Sequence, residues 1–203
     1  MRHLALAAVL VLAALETQAA TAASCDEAAA LHAQGRYDEA VTRYTDCLLD
    51  IEGDPAAMAD AYHRRGRASM KAGNLDAAIT DYTLVIFVAP DHAAAWNSRA
   101  WAHYLAGRHE MALADVEQAL AFDPDSVRAV DSHAHILAAL GRGQEAMAAF
   151  EEAMALHDAA GIAKTQDHLR QAGYDPGPSD GIYGPQTRAA LAACVEDACN
   201  IWN

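Results

Sequence analysis

The residues with chemical potential in this chain are ten histidines, four cysteines and six serines. His133 and His135 stand two apart and leave a helix in different directions. His103 and His109 straddle Gly107, and no His-Glu-x-x-His occurs. These histidines read as core or surface residues, with no metal and no cofactor implied. Ser24, Ser69, Ser98, Ser126, Ser132 and Ser179 lack the strand-turn-helix context of a nucleophile elbow, so no catalytic residue is expected and the chain is not expected to be an enzyme. Cys25, Cys47, Cys194 and Cys199 have neither Cys-x-x-Cys spacing nor a nearby histidine, which argues against zinc. An even count in an exported protein points to two disulfides. Four cysteines allow three connectivities, and proximity favours Cys25–Cys47 and Cys194–Cys199.

Export is suggested by the first segment. Arg2 and His3 precede an apolar run, Leu4–Leu15, and small and polar residues follow it. This is the form of a secretory signal peptide over residues 1–23, with small residues permitting cleavage after Ala22 or Ala23. Twelve apolar residues make about 18 Å of helix, short of the roughly 30 Å a bilayer core requires. No stable membrane insertion is expected after cleavage, and the expected compartment is the periplasm. Ala22-Ala23-Ser24 before Cys25 lacks the leucine of a lipobox.

The whole chain carries 14 Lys+Arg against 28 Asp+Glu, a net charge of −14. A surface so acidic is a poor match for nucleic-acid phosphates or anionic membranes. Hydrophobic residues are 53% but aromatics only 6%. A core poor in rings and rich in Ala and Leu favours closely packed helices over a sandwich.

The elements that position these residues repeat. Gly73, Gly107 and Gly141 lie 34 residues apart, as do Ala78, Ala112 and Ala146, then Tyr82, Val116 and Phe150, then Pro90 and Pro124. Gly35, Ala40, Tyr44 and Cys47 mark an earlier unit, displaced by four extra residues. Each unit predicts helix, turn, helix: Ala59–Lys71, a break at Gly73-Asn74, then Leu75–Phe87, with Pro90 forbidding continuation. Small residues let helices approach, with Gly66 set against Ala78 and Ala100 against Ala112. Tyr62, Trp96, Tyr82 and Phe150 fill the wedges. A single pair cannot bury its apolar side, so pairs must stack.

On these residues the chain resembles the tetratricopeptide repeat family over about residues 25–158. The resemblance implies an all-α fold, a right-handed superhelical solenoid of helix hairpins, here followed by a small C-terminal helical module. It implies protein or peptide binding on the concave face. The family's inward positions map to His63, Arg67, Met70 and Lys71, to Asn97, Trp101 and Tyr104, and to Arg128, Asp131 and His135. Arg67, Lys71 or Arg128 would pair a carboxylate, and Trp101 and Tyr104 would give apolar contact area. Asn97 is reminiscent of the family's carboxylate clamp, but His63 stands where Lys or Asn is wanted.

The 34-residue phase fails after Gly161. Ile162–Ala172 predicts a short helix with Ile162, Gln166 and Leu169 along one side. Tyr174–Gly184 is turn chemistry, and a helix from Pro185 to about Asp197 turns Ala190, Leu191 and Cys194 inward. Gln166-x2-Leu169-x3-Gly173-Tyr174 and Asp180-Gly-Ile-Tyr-Gly184-Pro-x-Thr187-Arg-x-Ala190 resemble the peptidoglycan-binding-like module of bacterial envelope proteins. That resemblance implies peptidoglycan as ligand and Tyr174, Asp180, Tyr183, Thr187 and Arg188 as site residues. The family's Phe-Gln at the helix end is Ala193-Cys194 here, and the segment is short, so the last repeat helix would have to supply a missing wall.

The expected organisation is a signal peptide at 1–23, a four-repeat solenoid at 24–158 and the module at 162–203. The expected function is a non-catalytic periplasmic adaptor that holds a protein or peptide in its groove and peptidoglycan at its tail. The alternative is a periplasmic interaction or chaperone-like factor whose tail is only a structural cap.

Overall fold

The computed structural model describes residues 24–51 and 53–197. Over these the chain forms ten helices and no strand. The first, α1, covers residues 24–33. It is followed by α2 (Tyr37–Asp50), α3 (Pro55–Lys71), α4 (Leu75–Val88), α5 (Ala93–Leu105), α6 (His109–Phe122), α7 (Val127–Ala139), α8 (Gly143–Leu156), α9 (Ala159–Gln171) and α10 (Pro185–Glu196). The chain packs as two compact units that divide between Ala102 and His103, inside α5 itself. None of the described helices is long and apolar enough to cross a membrane. The leader reading of residues 1–23 lies outside the described residues, and so does Cys199.

Turn glycines set the hairpins. Gly73, Gly107 and Gly141 have φ of +84°, +72° and +72°, a region where a Cβ is penalised. Two helices begin three residues or more before the sequence suggests, and a capping carboxylate explains each. Asp54 accepts from the N–H of Ala56 and of Ala57 at 3.1 Å, with Pro55 in the first turn, so α3 starts at Pro55 rather than Ala59. Asp158 accepts from Gly161 N–H at 2.8 Å, so α9 starts at Ala159 rather than Ile162.

In the first unit α2, α3 and α4 pack in sequence. Cys25 and Cys47 form a disulfide that joins α1 to α2. No described cysteine is a free thiol. Ala78, Tyr82 and Ala102 share a core cluster. The atoms nearest Gly66 belong to Tyr82: a Cβ there would lie 2.9 Å from Tyr82 Cε1. The missing side chain at 66 is what admits the Tyr82 ring, which is fully buried.

The second unit ends in a core that ignores the change of motif. Ala134, Leu137, Ala146, Ala149 and Phe150 from the last hairpin cluster with Leu169 of α9 and with Ala190, Leu191, Cys194 and Val195 of α10. The last repeat therefore supplies the wall that the short tail lacks.

Candidate functional site

A repeated device controls the charges of the first unit. Arg65 of α3 holds the buried Asp81 of α4 with two bonds, Nε to Oδ2 at 3.0 Å and Nη2 to Oδ1 at 2.6 Å. Its third arm donates to Thr45 Oγ1 of α2 at 3.1 Å, and the guanidinium lies 5.3 Å from the Tyr62 ring centre. One period later Arg99 donates to Thr83 Oγ1 at 3.0 Å and lies 4.9 Å from the Trp96 ring. These arginines tie each helix pair to the preceding one. The 34-residue step of Arg65 to Arg99 and of Asp81 to Asp115 is the signal that could have found them.

With those arginines engaged, the remaining cations stand out. Arg36, Arg43, Arg64, Arg142, Arg170 and Arg188 each face a carboxylate. Arg67 and Lys71 lie four apart on α3, exposed, and neither has an ion pair among the described residues. Arg128 of α7 is in the same condition in the second unit.

His63 precedes Arg67 by one helical turn. Its Nε2 lies 3.2 Å from Ser98 Oγ of α5, and its ring sits 5.5 Å from Tyr82 and 5.6 Å from His92. Burial first, then His92 and Arg67, push its pKa down to about 4. The Ser98–His63 contact has the reach of a nucleophile and base, but so weak a base, with Asp60 bound instead to Arg64 at 2.7 Å, does not activate a serine. Asn97 and Trp101 are half-buried on α5, and their spacing of four puts them on one face. Asn97 Oδ1 is buried without a hydrogen-bond partner. His32 of α1 has its pKa lowered by burial, then by Arg67 and Lys71. The first unit thus brings His63, Arg67 and Lys71 onto α3 and Asn97 and Trp101 onto α5.

Tyr104 and Arg128 belong to the second unit. The Tyr104 ring is 5.7 Å from His109, and burial raises its pKa. Asp131 accepts from or pairs with His157 Nε2 at 2.9 Å. His135, expected on the inward face, is buried edge-on against Phe150 at 4.9 Å. Burial, then His168, lowers its pKa from 6.5 to about 3. The unfolded chain takes up a proton that the fold refuses, so His135 contributes full stability above pH 6.5 and loses it as pH falls toward about 3. We expect the loss to reach roughly 3 kcal/mol near pH 4. Urea unfolding of wild type and His135→Gln at neutral pH and near pH 4 checks it: the variant should lose less over that interval.

In the tail, Gln166 organises the loop. Its Nε2 lies 3.1 Å from Asp180 Oδ1, Ile182 O and Thr187 Oγ1, and its Oε1 accepts from Gly181 N–H at 3.1 Å. Thr187 is buried and donates to Pro176 O at 2.9 Å. Asp180 also accepts from Ile182 N–H at 3.0 Å, and these bonds hold its carboxyl below the usual range. Asp180 and Thr187 therefore shape the loop from within. Tyr174 donates to Asp197 at 2.9 Å. Arg188 donates to Glu151 of α8 at 2.6 Å, and the half-buried Tyr183 packs against the last repeat's core. Ile182 projects from the loop, 65% exposed.

The helix pairs at a 34-residue step and the Gln166-centred loop between two helices each have a counterpart among known families. Residues 63–127 match the tetratricopeptide repeat model, and residues 158–194 match the family described as "Putative peptidoglycan binding domain". No curated protein matches the chain. Among solved structures, MamA 41-end from Desulfovibrio magneticus RS-1 is similar with a TM-score of 0.61 at 20% identity, over 67% of this chain and 75% of that one. The first TPR of Spaghetti (RPAP3), bound to an HSP90 peptide SRMEEVD, has a TM-score of 0.54 at 22% identity, over 60% of this chain and 93% of that one. A tetratricopeptide repeat protein from Parabacteroides merdae has 0.58 at 21%, over 66% and 51%. These likenesses show the fold.

Proposed function

We propose that this chain is a non-catalytic adaptor of the bacterial cell envelope, exported by residues 1–23 to the periplasm. Its repeats hold a carboxylate-bearing peptide or protein segment, and its tail holds peptidoglycan. The observation that carries the first half is the pair Arg67 and Lys71, two exposed cations one turn apart on α3 with no ion pair among the described residues, on a protein of net charge −14. Long cationic side chains without an ion pair among the described residues, on the helix whose His63 meets Ser98 of α5, suit a ligand that brings carboxylates. That an RPAP3 repeat domain of the same fold holds the peptide SRMEEVD supports peptide recognition.

The second half rests on the loop match and on the exposed Ile182 beside Tyr183 and Arg188. Purified protein should co-sediment with peptidoglycan sacculi, and Tyr183→Ala with Arg188→Ala should release it. Partner capture from envelope extract should fail when Arg67 and Lys71 are both changed to Glu, with sacculus binding intact. The core shared by α7, α8 and α10 favours a second reading, in which the tail only caps the repeats. No sacculus binding by the folded wild type would select that reading.

A further inference from the structure

We infer that His63 engages the ligand as an imidazolium, so that the first unit takes up a carboxylate-bearing peptide together with a proton. The inference rests on the peptide-binding reading above and goes beyond it by naming the residue that makes binding depend on pH.

The geometry singles out His63 among three histidines. His92 uses Nδ1 to accept from Ala95 N–H at 3.1 Å, a cap at the start of α5 that a protonated ring could not make. His32 lies edge-on to Tyr37 at 5.3 Å, at the α1 side, with its Nε2 buried. His63 alone stands on α3 one turn before Arg67 and two before Lys71. Its bond to Ser98 suits either protonation state, because a hydroxyl can donate or accept.

The charges around His63 are unbalanced. On its own helix are Arg64, Arg67 and Lys71, and Asp60, which Arg64 holds. From α2 comes Tyr44, and from α4 come the buried Tyr82 and Asp81, the latter held by Arg65. The loop before α5 adds His92, α5 adds Ser98, and α1 adds His32. Both carboxylates in this set already serve an arginine. Burial and the neighbouring positive groups keep His63 neutral, with a pKa near 4. A ligand carboxylate between His63 and Arg67 would supply the missing negative charge and favour the charged ring. By linkage, a ligand that raises the affinity of a group for protons is itself bound more tightly as protons become available.

The probe is acetylated hexaglutamate, titrated calorimetrically into the full chain in two buffers of different ionisation enthalpy. Should His63 return to its ordinary pKa on binding, affinity is expected to be about tenfold higher near pH 5.5 than near pH 7.5, with most of a proton taken up per peptide at the lower pH. His63→Gln should still bind and lose that difference. Arg67→Ala with Lys71→Ala should lose binding at both. Wild-type binding that is flat with pH, or a slope that survives His63→Gln, overturns the proton-coupled role and leaves the peptide-binding reading standing. No binding at either pH overturns both. If His63→Gln fails to fold, the His63 ring is titrated by NMR in wild type with and without peptide, and an unmoved midpoint overturns the inference.

Discussion

Leu191→Ala in the tail should destabilise the last repeat. Leu191 is fully buried, and it sits with Leu137, Phe150 and Ala146 of α7 and α8 in one cluster. Removing three carbons from such a site costs roughly 2–5 kcal/mol, from lost transfer energy and from the cavity left behind. That is a large part of the 5–15 kcal/mol of a typical domain. The site of the damage is the distinctive expectation. Amide exchange should accelerate in α7 and α8 as well as in α9 and α10, because these helices share a core and open together. An independent tail would confine the loss to α9 and α10, and that pattern would refute the shared core. Urea unfolding gives the magnitude and hydrogen exchange gives its location.

Arg65→Ala should cost about as much in the first unit, for an electrostatic reason. Asp81 is 2% exposed, and Arg65 supplies both of its strong bonds. Taking away one partner leaves a buried carboxylate uncompensated, which costs about 3–5 kcal/mol. Thr45 loses a bond and Tyr62 loses its stacked cation as well. Replacing both partners with apolar residues of similar size, Arg65→Met with Asp81→Leu, should recover most of the loss, because no buried charge remains. Chemical denaturation of the single and double variants gives the coupling directly. A double variant as unstable as Arg65→Ala would mean that the arginine acts through packing and Thr45 rather than through Asp81.

The repeats were legible in the sequence because their geometry depends on a few residue types at a fixed step. Gly73, Gly107 and Gly141 supply a positive φ, and Ala78, Ala112 and Ala146 supply closeness. The tail loop was legible because Gln166 and Asp180 must meet for it to close. Other features needed the fold. Asp54 and Asp158 look like any surface aspartates until the helices they cap are placed. Gly66 leaves the room that the buried Tyr82 ring fills, a contact that the placement of two helices decides. Composition counts Arg65, Arg67 and Lys71 alike; only the buried Asp81 separates a structural cation from two that remain available. His135 maps to an inward position by resemblance, yet its ring packs edge-on against Phe150 in the core.

The join between the last repeat and the tail also has a mechanical side. Only His157 and Asp158 separate α8 from α9, a reach of about 7 Å even when fully extended. Arg188 of α10 and Glu151 of α8 add an exposed ion pair across the join. A tail fastened to a fixed surface would leave no slack: a pull on α7 or α8 would load the Leu191–Phe150 packing in shear at once. Joined in this way, the second unit would pass a load through packed side chains rather than through a slack linker.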